Sequence, residues 1–393
     1  MRFSGFDDEW IEEKLGNLVQ IKSGECTKNL ITGIDNSIPY FKVEQLNNSL
    51  KYQIKTPYFI NDKSKIVNKG SIIFPKRGAA ILLNKIRILN QDSFMDTNLM
   101  TLTPNNKLYN EFLYYFIYKE NLSKIADTTS IPQLNNKHIK PYPIKLPSFE
   151  EQLKISKFIS SVDKKVALLS QNLEIFNDFK KGLLQQIFTQ KLRFDDNCQY
   201  KTKQVKDFLI ESKIEGIDDI NKRLTVKLNL NGITVRESKT IEIEGATKQF
   251  IRKTGQFIYG KQNLHKGAFG IIPKELDGYL TSSDIPSFDF KGGIEPKWFY
   301  YYFARKSFYE KLENLSTGTG SKRISPKEFL NIKIIVPEFK EQHKIVCLFE
   351  KFDEKINGIS NQIVQMNMFK KSLLQQMFVV QLILSLLQNK KHI

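Results

Sequence analysis

Pro147-Ser148-Phe149-Glu150-Glu151-Gln152 returns 190 residues later as Pro337-Glu338-Phe339-Lys340-Glu341-Gln342. At the same offset, Lys180-Lys181-Gly182-Leu183-Leu184-Gln185-Gln186-Ile187-Phe188 returns as Lys370-Lys371-Ser372-Leu373-Leu374-Gln375-Gln376-Met377-Phe378. No gap is needed between these anchors, and 18 of the 42 paired positions are identical. A self-match with so long a period marks a duplicated domain-sized unit rather than a solenoid.

Inside the first copy the apolar positions step by four and three: Ile155, Ile159, Val162, Val166, Leu169, Leu173, Phe176, then Lys180, Leu183 and Ile187. The second copy repeats the pattern from Ile345 to Met377, again with one lysine, Lys370, at the same place. A 3.5-residue spacing held over several heptads predicts a helix packed along its length against another helix. Pro147 and Pro337 suit the entrances, and Glu150, Glu151 and Glu341 favour the positive N-terminal ends. About 38 residues at ~1.5 Å each make a rod of roughly 55–60 Å. Each copy is the natural partner of the other, and an approximate two-fold pairs them antiparallel with a globular head at each end. Lys180 and Lys370 either fix register in the seam or lay their stems on it and send their ammonium groups to water; the second is the simpler expectation.

A chain of 393 residues has room for two or three domains. Its net charge of +18 exceeds what solubility requires and makes nucleic acid the first candidate partner. Cys26, Cys198 and Cys347 are scattered, which argues against a disulfide framework or a zinc site and fits a reducing, cytoplasmic setting. No signal-peptide core and no run of bilayer-spanning length is present, so no membrane partner is expected.

The repeat divides the chain into a first head (residues 1–146), a helix (147–190), a charged linker (191–203), a second head (204–336), a second helix (337–378) and an apolar tail (379–393). Short strand-like runs (Ser71-Ile72-Ile73-Phe74, Met100-Thr101-Leu102-Thr103) and an aromatic helix (Glu111 to Tyr118) predict an α+β head. Gly255-Gln256-Phe257-Ile258-Tyr259 and Trp298 to Phe303 answer them in the second head, and Leu192-Arg193-Phe194-Asp195-Asp196 echoes the N-terminus. The helices are alike while the heads diverge, as a reader of two unlike half-sites requires.

Signs of catalysis are weak. Gly255-x-x-x-x-Gly260-Lys261 has Gln262 where a phosphate loop needs Ser or Thr, and its interior reads as a strand. Asp284, Asp289 and Lys291 form a loose carboxylate–lysine triplet with no equivalent in the first head. The four histidines (His138, His265, His343, His392) lack ligand spacing, and no Gly-rich methyl-donor site appears. A single-chain nuclease and a basic scaffold for RNA or protein stay open as alternatives.

The sequence resembles the specificity subunit of Type I restriction–modification systems. The resemblance rests on Arg2-Phe3-Ser4-Gly5-Phe6-Asp7-Asp8-Glu9-Trp10 with Lys14-Leu15-Gly16, on the two Pro-x-Phe-x-Glu-Gln entrances, and on the two Lys-Lys-x-Leu-Leu-Gln-Gln-x-Phe exits. It implies two target-recognition domains on an antiparallel coiled coil, no catalysis in this chain, and a bipartite, asymmetric double-stranded DNA target. It implies two methyltransferase (modification) subunits as partners, and restriction subunits in the full complex. S-adenosylmethionine, ATP and Mg would then belong to those partners. A DNA reader needs cations for phosphates and forked or amide groups for base edges. In the first head the candidates are Lys76, Arg77, Lys85, Arg87, Thr129, Ser130, Gln133, Asn135 and Lys137; in the second they are Lys261, Gln262, Lys266, Lys322 and Arg323. Glu151, Gln152, Glu341 and Gln342, with the outer helix faces, are the candidate surface for methyltransferase docking.

Overall fold

The structure, a computed structural model, describes residues 2–27, 30–32, 37–127, 131–237, 245, 247–316 and 323–378. Of the residues singled out above, Thr129, Ser130, Lys322 and the apolar tail lie outside the described residues. The chain forms two compact units. One runs to Leu169 and takes up the chain again from Gln362; the other is Ser170–Asn361. Each long helix therefore contributes to both units and is not a domain of its own.

In the first unit the strands are β1 (Ile11–Lys14), β2 (Val19–Ser23), β3 (Ile38–Phe41), β4 (Tyr52–Gln53), β5 (Phe59–Ile60), β6 (Ile72–Pro75), β7 (Arg87–Leu89), β8 (Phe94–Met95), β9 (Leu99–Pro104) and β10 (Pro143–Leu146). The helices are the single turn α1 (Leu15–Leu18), α2 (Asn110–Glu120), α3 (Asn136–Ile139) and the long α4 (Phe149–Phe188). A five-stranded sheet runs β2-β9-β6-β7-β4, a three-stranded one β5-β3-β8, and β1 pairs with β10. β6 is buried at all four positions, as its unbroken apolar run requires of a central strand. Six consecutive residues of α2, Phe112 to Ile117, are buried, so this helix is covered on all sides. Gly24 is needed where the chain leaves β2, because a Cβ there would lie 1.8 Å from the Asp96 carbonyl oxygen.

The second unit repeats the plan. Its strands are β11 (Tyr200–Gln204), β12 (Leu209–Ser212), β13 (Glu215–Gly216), β14 (Leu224–Val226), β15 (Ile233–Val235), β16 (Gln249–Ile251), β17 (Phe257–Tyr259), β18 (Phe269–Ile271), β19 (Leu280–Ser282), β20 (Ser287–Phe290) and β21 (Lys333–Pro337). Its helices are α5 (Pro296–Phe303), α6 (Lys306–Tyr309), α7 (Pro326–Leu330) and the long α8 (Phe339–Phe378). The sheet β12-β20-β17-β18 answers β2-β9-β6-β7, and β11-β21 answers β1-β10. Because β11 begins at Tyr200, the linker is shorter than 191–203. The core is aromatic: Phe329 stacks on Phe257 (5.5 Å, 4°), with Phe288, Phe299 and Phe303 around them.

The two helices run in opposite directions in both units. In the first, Ile155 and Ile159 of α4 share a core with Leu374 and Met377 of α8. In the second, Phe188 stacks on Phe349 while Phe179 meets Phe352. The seam lysines do not reach for water, contrary to the simpler expectation. Lys370 Nζ lies 2.6 Å from Asp163, and Lys180 pairs with Asp353. Asp163 and Asp353 occupy equivalent positions of the repeat, so antiparallel pairing brings the lysine of one copy to the aspartate of the other.

Candidate nucleic-acid interface

Beyond Pro75 the β6 strand continues into a backbone clamp. The Lys76 amide donates to Asn98 O, its carbonyl accepts from Leu134 N (both 2.8 Å), and Arg77 bridges Gln133. Gly78, at φ +84°, turns the chain while its amide donates to Pro132 O. The clamp sets Lys76, Arg77 and Gln133 side by side, with Asn135 and Lys137 on the turn that follows. Burial and the neighbouring Arg77 hold the Lys76 ammonium below the usual lysine range. Lys137 and His138 both reach Asp127, at 3.1 and 3.2 Å.

The second unit builds a like clamp, with lysine again at its centre and other side chains beside it. The Lys261 amide donates to Asp284 O, and its carbonyl accepts from Ile324 N. Arg323 pairs with Asp284 at 3.1 Å, and Gln262 is exposed. Ser325 and Glu328 cap α7 reciprocally, as Asn135 and His138 cap α3. Lys266 sits on the next turn, just before Gly267 at φ +71°.

Other expected residues have internal roles. Arg87 donates to the carbonyls of Ser49, Ile86 and Leu46, each at 2.7 Å, so its guanidinium ties down a turn. Lys85 bonds Asn47. The four entrance residues are buried, which removes them from the docking surface. Glu151 accepts from Arg2 Nε at 2.9 Å and from the Trp10 indole at 3.2 Å. Gln152 accepts from Tyr109 N and donates to Lys107 O and Pro147 O. Gln342 repeats this with Glu295 N, Gly293 O and Pro337 O, while Glu341 accepts from Phe194 N. Each Glu-Gln pair fastens a head, and the segment echoing Arg2-Phe3, to its own helix. Asp284, Asp289 and Lys291 bond Arg323, Gln256 and Lys206 O respectively, three unrelated partners.

Reading the sequence also missed a junction. Tyr115 OH donates to Asp163 at 2.7 Å, and Tyr301 OH to Asp353 at 2.6 Å, each aspartate also holding its seam lysine. In the first unit Lys51 adds bonds to Glu111, Tyr115 OH and Ser160. Burial lowers its pKa, against the pull of Glu111. The available signal was that aspartate and lysine are identical in both copies.

The family described as Type I restriction modification DNA specificity domain matches the chain twice, over residues 7–175 and 200–366. The chain belongs to that family. The MjaVIII specificity subunit of Methanocaldococcus jannaschii, a Type I restriction enzyme component, is 22% identical over 93% of this chain and 91% of its own length. The EcoDI specificity subunit of Escherichia coli is 22% identical over 94% and 88%. The crystal structure of the Type I restriction–modification S subunit of M. genitalium superposes with a TM-score of 0.57 at 15% identity, covering 96% of this chain and 97% of that one. Shared architecture at that identity speaks for the fold, which agrees with two α+β heads on paired antiparallel helices. No helix of the described residues is long and apolar enough to cross a membrane.

Proposed function

We propose that this chain is the non-catalytic DNA-recognition subunit of a Type I restriction–modification complex. Each head reads one part of a bipartite, asymmetric duplex target. The observation that carries this reading is the repeated clamp: one backbone frame presents Lys76, Arg77 and Gln133 in one unit and Lys261, Gln262 and Arg323 in the other. A shared frame that keeps its lysine and changes the side chains beside it, Arg77 and Gln133 against Gln262 and Arg323, is what reading two unlike sequences calls for, since base edges are distinguished by donor and acceptor pattern.

The helices offer the surface for two methyltransferase subunits. Leu168, Val364 and Met368 in the first unit, and Ile175 in the second, are 56–68% exposed on long helices, which suits apolar docking. S-adenosylmethionine, ATP and Mg belong to the partners in this reading. Sequencing the methylome of a host with and without the gene tests it. A two-part methylated motif should vanish with the gene; an unchanged methylome sinks the proposal.

A further inference from the structure

The second unit contains a cleft of about 550 Å³ beside its clamp, between the β16 strand and the start of α7. Its floor holds a buried cation with no ion-pair partner among the described residues, although the carboxylate of Glu211, which also lines the cleft with Glu215, acts on it at longer range. Arg252 is 1% exposed, and its guanidinium donates only to neutral oxygens: Thr281 Oγ1 (2.6 Å), Ser287 Oγ (2.9 Å), Ile285 O (3.1 Å) and Ser212 O (3.3 Å). Among the described residues no carboxylate lies within ion-pair reach of it. Ser212, 6% exposed, lines the same cleft, and its hydroxyl has no partner among the described residues. At the rim Lys213 and Lys248 are paired with Glu211 and Glu215, but among the described residues Lys261 and Lys327 have no acidic partner.

Burying a cation beside an idle hydroxyl is costly unless an anion completes the set. The first unit has no such floor. Val67, three residues before Gly70, stands where Arg252 stands before Gly255, and it is 2% exposed.

We propose that this cleft clamps a backbone phosphodiester of duplex DNA, with Lys261 and Lys327 at the rim and Ser212 and Arg252 beneath. The inference rests on the DNA-reading role above and adds to it a phosphate grip confined to the second unit. A small tetrahedral anion suits the Ser212 hydroxyl and the two ammonium groups of Lys261 and Lys327, and phosphate contacts set position without reading sequence.

Salt titration of the full-length chain on a random-sequence duplex tests this. Neutralising one phosphate contact lowers the log–log salt slope by about 0.9. Lys261→Gln with Lys327→Gln removes both rim cations from that one phosphate and should therefore reduce the slope by about 0.9, whereas Lys213→Gln with Lys248→Gln should change it less. Ser212→Ala, which leaves the charge alone, should weaken binding several-fold at unchanged slope. If the unaltered chain binds DNA and the Lys261/Lys327 pair keeps its full slope, the cleft is not a phosphate site while the DNA-reading role stands. If the unaltered chain binds no DNA, or duplex RNA displaces it preferentially, both readings fall.

Discussion

Replacing Lys370 with methionine strands the Asp163 carboxylate at the junction of head and helix. Side chains of the pair are 14% and 23% exposed, between the surface and the interior. Surface pairs contribute about 0–1 kcal/mol, and breaking a fully buried pair costs about 3–5. Tyr115 and the nearby Lys51 still face Asp163 after the change, so a loss of about 2 kcal/mol is expected, discounted for partial hydration. Hydrogen exchange reads it locally: amides of α2 should exchange roughly 30-fold faster, at 1.4 kcal/mol per tenfold. Adding Asp163→Asn should restore most of the protection, because no stranded charge remains. Lys180→Met should act on α5 in the same sense but more weakly, since Asp353 is 39% exposed. If Lys370→Met leaves α2 exchange unchanged, or the double variant is no better protected than the single one, the ammonium is effectively hydrated and the junction is not held by this pair.

Gln152→Leu takes the partner from the Tyr109 amide, the buried Pro147 carbonyl and the Lys107 carbonyl; denaturant titration should show a loss of about 2–4 kcal/mol, and Gln342→Leu should match it. Gly24→Ala drives a methyl into the Asp96 carbonyl and should cost about 3 kcal/mol or more by thermal unfolding, where Gly78→Ala, with open space around it, is limited to backbone strain. Glu120 is half-buried, which by itself would raise its pKa, but hydrogen bonds from Lys119 and Tyr142 outweigh burial and hold it below the usual value of 4.5. A carboxylate depressed on folding stabilises above its unfolded pKa and loses that contribution as pH falls through the folded one. Glu120→Gln should therefore flatten the acid limb of the stability–pH profile below about pH 4.5; an unchanged limb would mean the two bonds contribute nothing.

Much of this architecture was legible because repetition is robust to divergence. The two helices start at Phe149 and Phe339, each two residues past its proline, and the aromatic runs form α2 and α5. Side-chain roles were harder to read. Glu151 and Gln152 are charged or polar at a helix start, so composition alone suggested surface, whereas the hydrogen bonds that fasten them to the head span 43 to 149 residues of sequence. Arg87 went the same way, since a cation at the start of a short strand says nothing of the carbonyls of Leu46 and Ser49 waiting beside it. Arg252 carries no pattern at all; only the folded sheet shows that it replaces a core valine.

The sharpest test of two-headed reading changes one clamp and reads the whole motif. Arg77→Ala with Gln133→Ala, expressed with the partner methyltransferase, should relax or abolish one part of the methylated motif and leave the bases of the other part unaltered. A methylome in which both parts change together, or neither does, would contradict separate recognition by the two heads.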